Sequence, residues 1–213
     1  GEVQARALGR RLLGSGVAFD RVVSSTAVRA RETARLTCEA MGLGAIEVQL
    51  APELLEICQG EWTGRERAAV YDAAFLERVE REQMFLRPPG VSEVDAPPGG
   101  PAPKGESQWD VECRFATFIE ALLARPPDEV LPARIETVAI FSHGVAIRCF
   151  LRRILRASPI AAVHCQLENT AICELFYKTG SHNLDGWQVV RVNDAAHLEP
   201  QWLGQGDGAN GKQ

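Results

Sequence analysis

Three short segments of this chain carry residue types whose spacing suits chemistry on an anion. The first runs from Val138 to Arg148, an apolar run that ends in Ser142-His143-Gly144 and continues as an apolar-periodic, basic segment. That pattern predicts a buried strand delivering a histidine to the start of a helix. Backbone N–H groups and the helix dipole favour anions there, which places His143 beside a natural phosphate seat. An imidazole in that position can act as an acid, a hydrogen-bond donor or a nucleophile near neutral pH. The alternative is a strand-end histidine that merely caps the next helix.

The second segment, Ser24 to Ala34, ends a strand in two hydroxyl residues and opens a helix with Arg29 in its first turns. In an open parallel sheet, ligands collect outside the carboxyl ends of the strands. Arg29 can therefore reach the same pocket as His143 and grip a phosphoryl group with two N–H donors. Arg31 and Arg35 read as solvated helix residues, and Arg29 taken alone fits that description too. The third segment, Leu54 to Gly64, holds Glu56 among apolar neighbours, followed by Gly60, Trp62 and Gly64. A carboxyl group in such a loop is expected to be partly buried, and burial raises its pKa and suits it to protonating a leaving group. Glu53 and Glu61 fit surface positions better.

The elements that must position these residues alternate between strand and helix. Helix 3–13 is followed by Gly14 to Gly16, a strand over 21–25, a helix over 26–41 and a strand over 46–50 bounded by Gly44 and Pro52. Strand, helix, strand at these lengths is a βαβ unit, which implies a parallel sheet with a right-handed crossover. Residues 65–87 read as helical and charged, and the prolines and glycines of 87–106 predict a long surface loop. Ser107 with Asp110 three residues later predicts a helix N-cap, opening a helix to Ala124. Strand 136–142, helix 145–156 and a hairpin of strands 171–177 and 187–193 follow. The Gly-rich tail 204–213 is expected to be disordered. The fold class is α/β, with a mostly parallel sheet between helical layers. Residues 1–203 form one domain with a lid insert over about 65–106.

Composition narrows the function classes. A net charge of −5 and a pI near 5.5 argue against nucleic-acid binding. No apolar run approaches the roughly 20 residues that a membrane helix needs, which argues against a membrane partner. The six cysteines are scattered without a C-x-x-C pair, so free thiols in a reducing, cytoplasmic compartment are expected, with no metal and no cofactor.

Taken together the segments resemble the histidine phosphatase superfamily, in its phosphoglycerate mutase-like branch. The resemblance rests on G-x-x-Q-A-x-x-L-G at 1–9, S-S-x-x-x-R-A-x-x-T-A at 24–34 and L-x-E-x-x-x-G-x-x-x-G at 54–64. It also rests on Gly105-Glu106-Ser107 before a helix and on Ser142-His143-Gly144 with Arg148. It implies a metal-independent reaction in which a histidine attacks phosphorus to form a phosphohistidine that water hydrolyses. In that reading Arg29 clamps the phosphoryl oxygens, Glu56 is the proton donor to the leaving oxygen, His143 donates a hydrogen bond to the transferring group, and the Gly144 N–H adds a contact. Such roles suit phosphoryl transfer, which depends mainly on positioning and electrostatics.

The resemblance also implies a part that this sequence does not show. The family's nucleophile lies in an Arg-His-Gly motif at the end of a first, central strand, just before the G-x-x-Q-A helix. The one His-Gly here is His143-Gly144, and His164, His182 and His197 lack a strand-end context. The first strand is therefore expected to be absent, leaving sheet edges unpaired and this stretch inactive and unstable by itself. The family's mutases carry a Trp-Arg-Arg segment in the lid; residues 65–106 contain neither Trp nor Arg-Arg, which favours a phosphatase acting on a small phosphorylated metabolite. The competing readings are a mutase and a noncatalytic phosphate-binding pseudoenzyme. A homo-oligomer stays open.

Overall fold

Short apolar strands alternate with amphipathic helices, and the computed structural model shows how they stack. It describes residues 1–70, 72–96, 100–124, 135–178 and 186–204. The tip of the expected hairpin with His182, part of the proline-rich run, and tail residues 205–213 lie outside the described residues. Strand β1 (Arg21–Ser24) is the centre of a parallel sheet, flanked by β2 (Val48–Leu50) and β3 (Val138–Phe141). Successive side chains of a strand face opposite ways, so Val22 and Val23, each 1% exposed, feed two different cores. Val22 packs with Ala34 and Cys38 beneath helix α2 (Val28–Ala40), and partly buried Phe19, Val48 and Phe141 close that layer. Val23 enters the larger core with Leu54, Val111, Phe115, Cys149 and Phe150. Helices α5 (Gln108–Leu123) and α6 (Gly144–Leu155) supply most of it, and the rings of Phe115 and Phe150 stack at 4.9 Å. The result is the expected sheet between helical layers.

Helix α1 (Glu2–Gly14) lies on α2, and the two backbones approach closely at Gly9. A Cβ there would sit 2.4 Å from the Thr37 carbonyl oxygen, so this crossing requires glycine. The Thr37 hydroxyl donates to the Ala5 carbonyl at 3.2 Å across the same contact. The α1 face turned inward comprises Gln4, Ala5, Ala7 and Leu8, whereas Val3 of the sequence pattern is 57% exposed.

Several boundaries differ from the sequence pattern. The second strand is three residues rather than five, because the Ile46 N–H bonds back to Leu43 and forms a turn. The helical stretch expected over 65–87 is broken into α3 (Arg67–Val70), α4 (Ala73–Glu82) and a 3-10 turn over Gln83–Phe85. Asp72 caps α4 by accepting from the Phe75 N–H, which marks a fresh helix start. A six-residue helix, α7 (Pro159–His164), was not expected; Pro159 in its first turn is the start signal. The capping box of Ser107 and Asp110 is formed as the spacing predicts.

The hairpin strands β4 (Ile172–Tyr177) and β5 (Trp187–Asp194) pair antiparallel with each other and form a separate sheet. Their inner residues Cys173, Leu175, Trp187 and Val189 nevertheless pack on the core that β3 borders. Among the described residues β3 pairs only with β1, and β4 only with β5. Between them runs a cavity of about 3910 Å³, which extends to the carboxyl ends of the strands. All four residues of β3 are half-buried, in contrast to the buried run Val22–Ser24 in β1.

Candidate active site

The sheet register brings the chemistry-bearing segments to one level. Ser24 lies opposite both Leu50 and Phe141, so the three strands end together. The next backbone donors continue the ladders: Ser25 N–H bonds to the Phe141 carbonyl at 2.8 Å, and Ala51 N–H to the Ser24 carbonyl at 2.9 Å. Segments 25–29, 51–58 and 142–146 therefore leave the sheet from a shared rim, where ligand sites of parallel sheets form.

His143 stands at the turn from β3 into α6. It is the N-cap residue of α6, but its side chain makes no capping bond to the helix. The ring is 7% exposed. Arg29 Nε donates to its Nδ1 at 3.2 Å, and its Nε2 lies 2.8 Å from Ser25 Oγ. Burial, then the positive charges of Arg29 and Arg114, push the His143 pKa down to about 3. The imidazole is thus neutral at physiological pH, and a hydrogen bond from Arg29 is compatible only with that form.

Glu56 is partly buried, as expected of its loop. Its carboxylate accepts from Ile57 N–H at 2.9 Å, Val145 N–H at 3.2 Å and Ala146 N–H at 3.1 Å. The loop carries the carboxylate onto the N-terminal turn of α6. There it meets donors that the helix leaves unpaired and a favourable dipole. Glu56 and His143 thereby share one helix N-terminus, which opens with Gly144. Glu56, Arg29, His143 and Gly144 all line the cavity described above.

Two residues to which the sequence analysis gave no role hold the Glu56 loop. Arg114 of α5 donates to the carbonyls of Glu53 and Leu55 at 2.7 Å each and of Glu56 at 3.1 Å. Its remaining N–H groups meet Glu106 at 2.9 and 3.0 Å, and Glu106 accepts from the Cys58 N–H at 2.9 Å. Arg114 thus satisfies carbonyls of a loop that lies outside the sheet and the α-helices. The signal in the sequence was faint: Glu106 stands in the Gly-Glu-Ser run, and Arg114 follows two helical turns later. Arg31 is exposed, and Arg35 pairs with Glu32 and Glu39 on the surface, as solvated helix residues should. All six cysteines are free.

Comparison with known proteins identifies the family. The histidine phosphatase superfamily (branch 1) matches residues 1–195. The chain belongs to that superfamily. Among curated relatives, a "Probable phosphoglycerate mutase GpmB" of Yersinia enterocolitica is 26% identical over 199 residues, spanning 93% of this chain and 81% of the relative. One of the same description from Serratia proteamaculans is 27% identical over the same shares. Among solved structures, a mycobacterial glucosyl-3-phosphoglycerate phosphatase in complex with inorganic phosphate superposes with a TM-score of 0.66. It is 23% identical, over 93% of this chain and 87% of that one. A phosphoserine phosphatase mutant from Entamoeba histolytica, in complex with phosphoserine, gives a TM-score of 0.65 at 23% identity, over 92% and 83%. The α/β architecture of this chain is the fold of these histidine phosphatase neighbours. No described helix is long and apolar enough to cross a membrane.

Proposed function

We propose that this chain is the body of a metal-independent phosphomonoesterase that works through a phosphohistidine. The observation that carries the reading is the convergence of Arg29, His143 and Glu56 at the shared strand rim, beside the N-terminus of α6. In this reading residues 1–203 act as one domain, with a lid over about 65–106. The nucleophilic imidazole lies on a strand outside this sequence that fills the cavity between β3 and β4. The paired edges and apolar lining that such a strand needs are supplied by β3 and by Cys173 and Leu175 of β4.

The reaction then proceeds in two displacements. The nucleophilic nitrogen forms a bond to phosphorus as the ester P–O bond breaks, and Glu56, having taken a proton from solvent before the step, gives it to the leaving oxygen. Water next attacks phosphorus, the N–P bond breaks, and Glu56 recovers a proton from that water. Arg29, His143 and the Gly144 N–H stabilise charge on the phosphoryl oxygens throughout. Residues 65–106 contain neither Trp nor Arg-Arg, which favours hydrolysis of a small phosphorylated metabolite over mutase chemistry. Six free thiols suit a cytoplasmic setting.

The test uses the complete gene product and an aryl phosphate. His143→Ala or Arg29→Ala should each lower hydrolysis by roughly 10²-fold or more, and EDTA should leave it unchanged. Near wild-type rates in either variant, or loss of activity on chelation, would overturn the reading. A complete reading frame lacking an Arg-His-Gly strand would favour a phosphate-binding pseudoenzyme.

A further inference from the structure

Ser25 is fully buried at the end of β1, and its hydroxyl faces the one ring nitrogen of His143 that does not face Arg29. Arg29 Nε is always a donor, so the lone pair of the ring lies on Nδ1 and its proton on Nε2. In this state Ser25 Oγ accepts from Nε2–H at 2.8 Å and from the Ala27 N–H at 3.2 Å. The Ser25 N–H is bonded to the Phe141 carbonyl, two residues before His143, so the end of the β1–β3 ladder holds the hydroxyl near the ring. Arg29 is the proposed phosphoryl clamp, so the ring face that meets it, Nδ1, is the face turned to an incoming phosphoryl group. As arranged here, Nδ1 carries a lone pair and would repel a phosphoryl oxygen. A neutral ring can donate from Nδ1 only if Nε2 becomes an acceptor, and a hydroxyl can reverse its role where a carbonyl or an amide N–H cannot.

We propose that Ser25 is a positioning residue that sets the tautomer of His143. When phosphate binds and Arg29 turns from the ring to the phosphoryl oxygens, the Ser25 hydroxyl rotates to donate to Nε2. His143 then presents Nδ1–H to the ligand. One proton leaves Nε2 to water and one reaches Nδ1 from water, so the charge of the ring does not change. Burial of the ring beside the positive charges of Arg29 and Arg114 keeps it neutral without phosphate, and the switch requires that it stay neutral when phosphate is bound. This inference rests on the phosphate site of the proposed function, but not on turnover.

The test is ¹⁵N–¹H long-range correlation spectroscopy of the full-length protein, with His143 assigned through His143→Gln and inorganic phosphate as the probe. Without phosphate, His143 should show the Nε2–H tautomer. Saturating phosphate should convert it to the Nδ1–H tautomer. Ser25→Ala should weaken phosphate binding by about tenfold, the change expected for one buried hydrogen bond, and should block the conversion, while Ser25→Thr restores both. An imidazolium signal with phosphate bound, an unchanged tautomer, or full conversion in a folded Ser25→Ala protein would each overturn the proposal while leaving a phosphatase reading intact. Absence of any phosphate effect on His143 would overturn both. If Ser25→Ala does not fold, the spectra of the unaltered protein still decide.

Discussion

Replacing Arg114 with alanine should unfold the protein more readily and release Glu56 from the N-terminus of α6. The guanidinium makes five hydrogen bonds, two to Glu106 and three to the carbonyls of Glu53, Leu55 and Glu56. Bonds involving a charged group contribute roughly 1.5–3 kcal/mol each when intact, and such contributions are not additive. The pair is not fully dry: the side chains of Arg114 and Glu106 are 19% and 23% exposed. Water can therefore take up part of what is lost, which places the cost at about 3 kcal/mol, the low end for breaking a buried ion pair. In a chain of this size each kcal/mol lowers the Tm by about 2–4 °C, so a drop of roughly 6–12 °C is expected. Arg114→Lys keeps the charge but loses the planar fork, and should recover less than half of that drop. Thermal melts followed by circular dichroism measure both. A melt of Arg114→Ala within about 2 °C of the unaltered protein would refute the view that this side chain holds the loop.

The low pKa of His143 predicts a pH signature in stability. Its folded value of about 3 lies below the ordinary histidine value, so between roughly pH 6.5 and pH 3 the unfolded chain binds a proton that the folded one refuses. Stability should fall as pH is lowered through that window, and His143→Gln should flatten the fall; urea midpoints at pH 7 and pH 4.5 test this, and identical slopes would contradict it. Gly60 has φ of +52°, and a Cβ there would lie 2.4 Å from the Pro89 carbonyl oxygen, whereas Gly64, with φ of +80°, has nothing within 4 Å. Gly64→Ala should therefore cost about 1 kcal/mol from backbone strain alone. Gly60→Ala should cost at least about twice that, because loop 88–90 must also move; equal urea midpoints for the two variants would deny the close packing.

The candidate residues stood out in the sequence because each sits at a local transition. His143, Arg29 and Glu56 all follow a short apolar run that breaks into glycine, hydroxyl or charged residues, and local periodicity marks such points. The same local signals located β1, α2, α5 and α6. They overran at β2 and over 65–87, where a turn at Leu43–Ile46 and a new cap at Asp72 interrupt patterns that looked continuous. The hydrogen-bond partners of Glu56 were not legible for a related reason. Its apolar sequence neighbours do not surround the carboxylate, which lies instead against Val145 and Ala146, some ninety residues away.

What the sequence by itself determined was the family, through its order of motifs, and a list of candidates: a strand-end histidine, a first-turn arginine and a loop carboxylate. Which of them touch was decided by the tertiary structure alone. The bond from Ser25 to His143 spans 118 residues and exists because Ser24 lies in register with Phe141. The hold of Arg114 on the Glu56 loop depends on where α5 packs against α6 and on the turn at Pro52–Leu54. Such contacts are set by the register of a sheet and the docking of helices. Propensity and period act over a few residues and carry no information about which distant neighbour completes a hydrogen bond.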